Sequence, residues 1–88
     1  MPNEAGEEKL IGKITHYFSK IEVGIIKLSD ILKVGDNIRI VGGEADFTQT
    51  VESMEVEHEK VKEAKVGDSI GLKVSQKVRE GYKVYKVI

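Results

Sequence analysis

Hydrophobic and polar residues alternate along most of this chain with the two-residue period of a half-buried β-strand. The alternation predicts six strands, at residues 10–18, 21–25, 37–40, 46–57, 69–75 and 82–87. No stretch keeps the period of a helix, and residues 57–65 come nearest, with room for one turn. Because the six strands are joined by short links, the predicted fold is all-β, a small closed six-stranded barrel of the Greek-key type.

The same alternation assigns an apolar face to each strand. The apolar sets are Leu10, Ile14 and Phe18, then Ile21, Val23 and Ile25, then Ile38 and Ile40, then Phe47, Val51, Met54 and Val56, and finally Ile70, Leu72 and Val74. Gly12 shares the inward parity of the first strand, where a missing side chain permits a bend or a close approach. The parity changes within the fourth strand, which predicts a bulge or a sharp bend near Ser53.

A short turn motif recurs at three places. The copies are Leu32-Lys33-Val34-Gly35-Asp36, Ala64-Lys65-Val66-Gly67-Asp68 and the degenerate Val78-Arg79-Glu80-Gly81-Tyr82. In each copy an apolar residue is predicted to plug the barrel end, and the glycine to take a positive φ that costs another residue about 1–2 kcal/mol. Asp36 and Asp68 are predicted to hydrogen-bond the backbone where the next strand begins.

The chain is long enough, at 88 residues, for one domain. Residues 1–8 offer almost nothing to bury and are predicted to form a flexible acidic tail, which leaves residues 9–88 as a single barrel domain. No apolar run is long enough to cross a bilayer, and the acidic start does not resemble a secretory signal. The chain is therefore expected in the cytoplasm, without a membrane partner.

Charge is balanced overall, with 14 basic against 15 acidic residues, but it is unevenly distributed. Among the charged residues, those in the range 31–58 are mostly acidic and those in the range 59–88 are mostly basic. The last two strands and their link, predicted to be adjacent, carry a basic stripe that is either a docking surface or a plain solvated face. The stripe consists of Lys73, Lys77, Arg79, Lys83 and Lys86.

Catalytic residues do not form a complete set in this sequence. The chain has no Cys, which excludes thiolate nucleophiles and cysteine zinc sites, and no phosphate-binding Gly-x-x-x-x-Gly-Lys-Ser/Thr loop, so it binds no GTP alone. His58 lies among Glu55, Glu57 and Glu59, but strand alternation sends two of these carboxylates to the opposite face. No serine is placed in a nucleophile turn beside His16 or His58. We therefore predict no catalytic residue, cofactor or metal.

Several motifs occur together in an order that is known from other proteins. Gly12-Lys13-Ile14, residues 24–28, 32–40 and 50–54, and residues 66–72 with 79–81 resemble, in order and spacing, the second domain of elongation factor Tu and other translational GTPases. The likeness runs from about Leu10 to Val87. Residues 16–20 and 46–54 resemble more closely the C-terminal barrel of a collagenase-like peptidase family.

The resemblance to translation factors implies a barrel that accompanies a nucleotide-binding domain and helps to hold the aminoacyl end of tRNA. In that family the contact is made by a Glu and an aromatic residue two positions later. Glu55 falls on the first position, but Glu57 occupies the second. A carboxylate cannot stack on adenine and repels phosphate, so the family's pocket is incomplete here.

Two functions follow from these patterns. The first is a non-catalytic, translation-factor-like module that docks on RNA or a ribonucleoprotein through the basic stripe. The alternative is a protein-interaction module that acts in trans with a peptidase-like enzyme, and an enzymatic role survives only as a subunit that completes a partner's site.

Tyr17, Phe18 and Tyr85 would supply stacking or an apolar docking patch if they are exposed at the barrel rim, although core packing is the default for Phe18. The oligomeric state stays open.

Overall fold

The structure is a computed structural model that describes residues 8–43 and 45–87. Within this part the chain forms ten strands and no helix. The strands are β1 (Glu8–Phe18), β2 (Val23–Leu28), β3 (Leu32–Lys33), β4 (Asn37–Gly42), β5 (Ala45–Thr50), β6 (Met54–Val56), β7 (Glu59–Val61), β8 (Glu63–Ala64), β9 (Ser69–Lys73) and β10 (Lys83–Val87). β1 includes Glu8, the last residue of the predicted tail, and residues 1–7 of that tail lie outside the described part.

Eight strands form one antiparallel sheet in the order β5-β4-β10-β1-β2-β9-β6-β7, and β3 pairs with β8 separately. The sheet surrounds a single apolar core, but its hydrogen-bond ladder does not close into the predicted barrel. The predicted fourth strand is interrupted at residues 51–53, beside Ser53, so β5 pairs with β4 and β6 pairs with β9. The Gln49 amide spans the resulting seam, because it donates to the Lys73 carbonyl at 2.9 Å and accepts from Ser75 N–H at 2.9 Å.

Three short strands were missed by the periodicity: β3, β7 and β8. The possible helical turn at residues 57–65 is wrong, because β6 and β7 form a hairpin there. Its two-residue turn consists of Glu57 and His58, whose φ angles of 52° and 68° are both positive. Two consecutive positive φ angles are typical of the type I′ turn, which matches the twist of a hairpin.

The core face was predicted correctly for the third, fourth and fifth predicted strands, but only in part for β1, where Gly12 and Ile14 are buried as predicted. Leu10 and Phe18 are 47% and 45% exposed, whereas Ile11 and Ile14 are buried. Two bulges cause the difference, one between Leu10 and Gly12 in the pairing with β10 and one between Ile14 and His16 in the pairing with β2. Each bulge adds a residue and reverses the parity of the strand.

The apolar face predicted for the second strand points away from the core. Ile26 and Leu28 are buried, whereas Val23 and Ile25 are half-buried and Ile21 is 61% exposed. Both faces of this strand carry aliphatic side chains, so alternation alone could not select the inner one. As a consequence, β2 presents Val23 and Ile25 on the outer surface of the sheet.

The three turn motifs adopt one conformation. Gly35, Gly67 and Gly81 have φ angles of 100°, 92° and 93°. The carboxylates of Asp36 and Asp68 accept hydrogen bonds from Lys33 N–H at 2.9 Å and Lys65 N–H at 3.0 Å. The apolar plugs are the buried side chains of Leu32, Ala64 and Val78, while Val34 and Val66 at the turn tips are exposed.

Each turn is also joined by two backbone hydrogen bonds to one buried residue elsewhere in the chain, in β1, in β2 or just after β5. The N–H of the turn glycine donates to the carbonyl of that buried residue. The N–H of the same buried residue donates to the carbonyl of the residue that follows the glycine. The pairs are Gly35 and Asp36 with Val51 at 2.8 and 2.8 Å, Gly67 and Asp68 with Leu28 at 2.9 and 2.9 Å, and Gly81 and Tyr82 with Ile14 at 2.7 and 2.7 Å. The repeated sequence motif therefore corresponds to a repeated attachment of turn to core.

Candidate interaction surfaces

The predicted basic stripe is not one surface. β9 and β10 are not adjacent, because β1 and β2 lie between them, so Lys73 is separated from the lysines of β10. Lys86 is engaged in an ion pair with Asp36 at 3.4 Å. Lys77 and Arg79 line a shallow depression with Tyr82. The prediction of a single stripe was wrong because the order of strands across a sheet cannot be read from their order along the chain.

A different set of lysines does form a row. Lys27 of β2 lies directly opposite Lys13 of β1, which lies opposite Lys83 of β10. Directly opposed residues of an antiparallel sheet project from the same face, and adjacent strands are about 4.8 Å apart. The row therefore spans about 10 Å across three exposed side chains, of which only Lys83 belonged to the predicted stripe.

Two other cations of the same sheet, Lys9 and Arg39, do have carboxylate partners. Lys9 pairs with Asp30 at 2.7 Å, and Arg39 contacts both Glu8 at 3.1 Å and Asp46. The Arg39 guanidinium lowers the pKa of the Asp46 carboxyl, mainly by direct hydrogen bonds. Within residues 8–43 and 45–87, by contrast, no carboxylate pairs with the lysine row. Like charges directly opposite one another destabilise a sheet, so repulsion within the lysine row lowers the stability of the fold.

The lysine row borders an open groove of about 650 Å³, which we call the basic groove. Its aliphatic lining includes the exposed side chains of Leu10 and Val66, which are 47% and 64% exposed. The turn glycines Gly67 and Gly81 also line it. The groove thus combines three amines with an aliphatic wall.

A second groove, of about 520 Å³, opens at the other end of β2, and we call it the aliphatic groove. It is lined by apolar side chains from β1, β2 and their connecting turn: Phe18, Ile21, Val23 and Ile25. Gly71 of β9 pairs with Ile25 on one side and with Glu55 on the other, so the missing side chain leaves a channel between them. The opposite rim carries both signs of charge, with Glu55 opposite Lys60.

The predicted aromatic patch is divided. Tyr17 is half-buried against the core opposite Gly24, and Tyr85 lies opposite Leu10 near the other end of β1. The two rings are separated by roughly 20 Å of strand, so they do not form one surface. Phe18 is exposed in the aliphatic groove, with its ring centroid 4.4 Å from that of His16.

Glu55 shares the aliphatic groove with Phe18, whereas the position two residues later is Glu57, on the turn of the hairpin. An aromatic ring thus lines the same groove as Glu55, but it comes from β1 and not from the position that the translation factors use. Sequence reasoning missed this groove because its apolar residues were assigned to the core. The available signal was the second strand itself, which is aliphatic on both faces.

The two histidines of the described part of the chain lie on different elements, His16 on β1 and His58 in the turn between β6 and β7. His16 Nδ1 lies 3.8 Å from the Glu80 carboxylate, and both side chains are more than half exposed. His58 occupies the hairpin turn and lines the rim of the aliphatic groove. Among residues 8–43 and 45–87, no three His, Asp or Glu side chains converge in a way that would hold a metal ion. Nor does this part of the chain contain a helix long and apolar enough to span a membrane.

Comparison with known proteins gives one relative in sequence and a shared fold. No protein-family model matches the chain. Over 76 residues, 85% of this chain, the sequence is 38% identical to an uncharacterized protease of Methanocaldococcus jannaschii. The chain spans 19% of the length of that relative.

Crystal structures of the C-terminal domain of a Geobacillus thermoleovorans protein assigned to the U32 peptidases have the same fold. One superimposes with a TM-score of 0.85 over 91% of this chain and 93% of the domain. Its selenomethionine variant gives 0.82 over 86% and 96%. Sequence identity is 18% in both cases, so these structures show the fold alone. The fold expected from the collagenase-like peptidases is supported, whereas the translation-factor resemblance gains no support from these proteins.

Proposed function

We propose that this chain is a non-catalytic protein-interaction domain that works with a U32-type peptidase, either in the same polypeptide or as a separate subunit. The observation that carries the proposal is the 38% identity to a protease of which the chain spans only 19%. Most of that relative lies outside the matched segment and has room for a catalytic domain. The fold is that of a C-terminal domain in the Geobacillus thermoleovorans protein, which supports an accessory position.

The aliphatic groove is the surface that best suits this role. Phe18 and Ile21 are 45% and 61% exposed there, although both are large and apolar. An exposed apolar groove with a charged rim is typical of a protein contact, where the apolar centre is desolvated and the rim stays wet. Glu55 and Glu57 line the same groove together with Lys60 and Lys73, and a rim of mixed charge suits a polypeptide better than the uniformly negative backbone of RNA.

Docking on RNA, the first function expected from the sequence, depended on the basic stripe. That surface is divided between β9, β10 and their link by the order of the strands. Lys86, one of its members, is paired with Asp36. The proposal therefore rests on the peptidase partner and not on RNA.

Affinity capture from the native host, with the wild-type chain and two variants, tests the proposal. Ile21→Asp places a charge in the aliphatic groove at an exposed position, so the fold should be retained while a U32-type peptidase is recovered at least about tenfold less than with the wild type. Val34→Asp makes the same kind of change at a turn tip that lines neither groove, and it should capture the peptidase normally. Equal recovery with Ile21→Asp, or recovery of RNA and ribosomal proteins alone, would contradict the proposal.

A further inference from the structure

We propose that the basic groove binds an acidic segment of polypeptide, with neighbouring carboxylates on the lysine row and an aliphatic side chain against Leu10 and Val66. The inference rests on the proposed function in taking the partner to be a protein. It adds a second docking surface, separate from the aliphatic groove, and states the chemistry of what fills it.

The first argument is geometric. Lys27, Lys13 and Lys83 are consecutive partners across β2, β1 and β10, so their amines project together from one face. The row is about 10 Å long, which corresponds to a short stretch of extended polypeptide rather than to a long polyanion. Two or three carboxylates on such a stretch would each meet an amine.

The second argument is energetic. Lys9 and Arg39 each have carboxylate partners, whereas no carboxylate pairs with the lysine row in the described part of the chain. Lys13 faces a like charge on both sides, opposite Lys27 and opposite Lys83. An anionic ligand would remove this repulsion, so binding would stabilise the fold as well as neutralise the groove.

The third argument concerns the lining. Leu10 and Val66 are aliphatic. Among the described residues that line the basic groove none is aromatic, and a single ring, Tyr85, flanks it directly opposite Leu10. Proteins that bind single-stranded nucleic acid combine their basic grooves with aromatic rings on which bases stack. An aliphatic wall suits a Leu, Ile or Val side chain of the ligand instead, and this favours an acidic polypeptide over RNA.

The backbone that borders the basic groove is already held in place by hydrogen bonds within the chain. The turn that contains Gly67 is bonded to Leu28, the residue after Lys27, and the turn that contains Gly81 is bonded to Ile14, the residue after Lys13. Two of the lysines therefore precede buried residues that are held by turns bordering the groove. A ligand would not have to order this backbone, which reduces the entropic cost of binding.

The binding test uses the full chain labelled with ¹⁵N and the peptide acetyl-Glu-Leu-Glu-Glu-Leu-Glu-amide. Titration followed by amide chemical shifts should give saturable changes centred on Lys13, Lys27, Lys83 and Val66. Raising the salt concentration from 50 to 300 mM should weaken the affinity at least about fivefold, because the contacts are between exposed charges. The same peptide with Gln in place of Glu is the neutral control and should give no saturable change.

The variant test separates a binding surface from a merely solvated one. Lys13→Glu replaces two like-charge contacts by opposite-charge contacts, so the midpoint of thermal unfolding should rise by a few degrees, while affinity for the acidic peptide falls at least about tenfold. Lys62→Glu changes the net charge equally at an exposed position outside both grooves. It should leave the affinity within about twofold of the wild type.

Several results would overturn the inference. The first is the absence of saturable shifts with the acidic peptide, and the second is a peptide affinity that Lys13→Glu leaves unchanged. The third is tighter binding of octauridylate than of the acidic peptide in the same groove. The fourth is a set of shifts at the lysine row that depend on protein concentration without any peptide, which would identify a second copy of the chain as the occupant. The proposed function fails separately, through Ile21→Asp. If Ile21→Asp loses the peptidase while Lys13→Glu leaves peptide affinity unchanged, only the inference about the basic groove falls.

Discussion

The outer face of β2 carries two different surfaces within five residues, Val23 to Lys27. At one end Val23 and Ile25 line the aliphatic groove, and at the other Lys27 lines the basic groove. The two grooves are built by different means. The basic groove is bordered by Gly67 and Gly81, whose positive φ angles hold turns against buried residues. The aliphatic groove depends on side-chain size, since its channel exists because Gly71 has no side chain.

This difference means that the two grooves should respond in opposite ways to substitution. Where a glycine sets the backbone, any added side chain strains the fold and the groove is lost together with stability. Where a glycine only leaves space, an added methyl group can fill the groove without cost to the fold. Glycine substitutions beside each groove therefore distinguish a groove made by the backbone from one made by side chains.

The largest effect is expected at Gly12, beneath the basic groove. A Cβ there would lie 2.5 Å from the Lys27 carbonyl oxygen and 2.9 Å from Ile26 Cγ2, so Gly12→Ala should force β1 and β2 apart. We expect a loss of about 2–3 kcal/mol in the free energy of unfolding, measured by urea denaturation. A variant as stable as the wild type would show that the contact between β1 and β2 relaxes freely.

A loss of about 1 kcal/mol is expected for Gly67→Ala. The φ of Gly67 is 92° and nothing else lies within 4 Å of an added Cβ, so backbone strain alone contributes. Gly35→Ala is the matched control, with a φ of 100° and equally open surroundings. Both should lose similar stability in chemical denaturation, but only Gly67→Ala should shift the amide signals of Lys27 and Lys83. Equal perturbation of the basic groove by both variants would contradict the assignment of Gly67 to its border.

Gly71→Ala is expected to have the opposite sign. An added Cβ would lie 3.4 Å from Val23 Cγ1 and 3.6 Å from Ile25 Cδ1, within ordinary contact distance. Replacing a glycine inside a strand by alanine should raise the free energy of unfolding by about 0.5 kcal/mol. The same methyl group narrows the aliphatic groove, so capture of the peptidase should fall while stability does not. A destabilised variant would mean that Gly71 is needed by the fold rather than by the groove.

The smallest effect concerns a cation that does have its partner. Arg39 lowers the pKa of Asp46, so this carboxylate stabilises the fold at neutral pH, and the contribution is lost as the pH falls from about 4 towards the folded pKa. Asp46→Asn should lower the unfolding midpoint slightly at pH 7 and make no difference at pH 2, by differential scanning calorimetry. The sign is opposite to that expected for Lys13→Glu. If both variants lower the midpoint at neutral pH, the unpaired lysines do not repel one another as proposed.

Much of the fold was determined by short segments of sequence. Strand periodicity predicted the all-β class and the buried faces that include Ile38, Ile40 and Leu72. The change of parity predicted the interruption beside Ser53. The repeated Gly-Asp motif indicated turns whose glycines do have positive φ. These features depend on the backbone preferences and burial of residues close together in the chain, so they can be read locally.

The candidate surfaces were decided by tertiary structure. The inner face of β2 could not be chosen from a strand that is aliphatic on both sides, and the two bulges of β1 left Leu10 and Phe18 exposed. The row of Lys13, Lys27 and Lys83 exists only because β2, β1 and β10 are neighbours, although Lys83 lies far along the chain from the other two. Registers between distant strands result from how the whole core packs, and no local period records them.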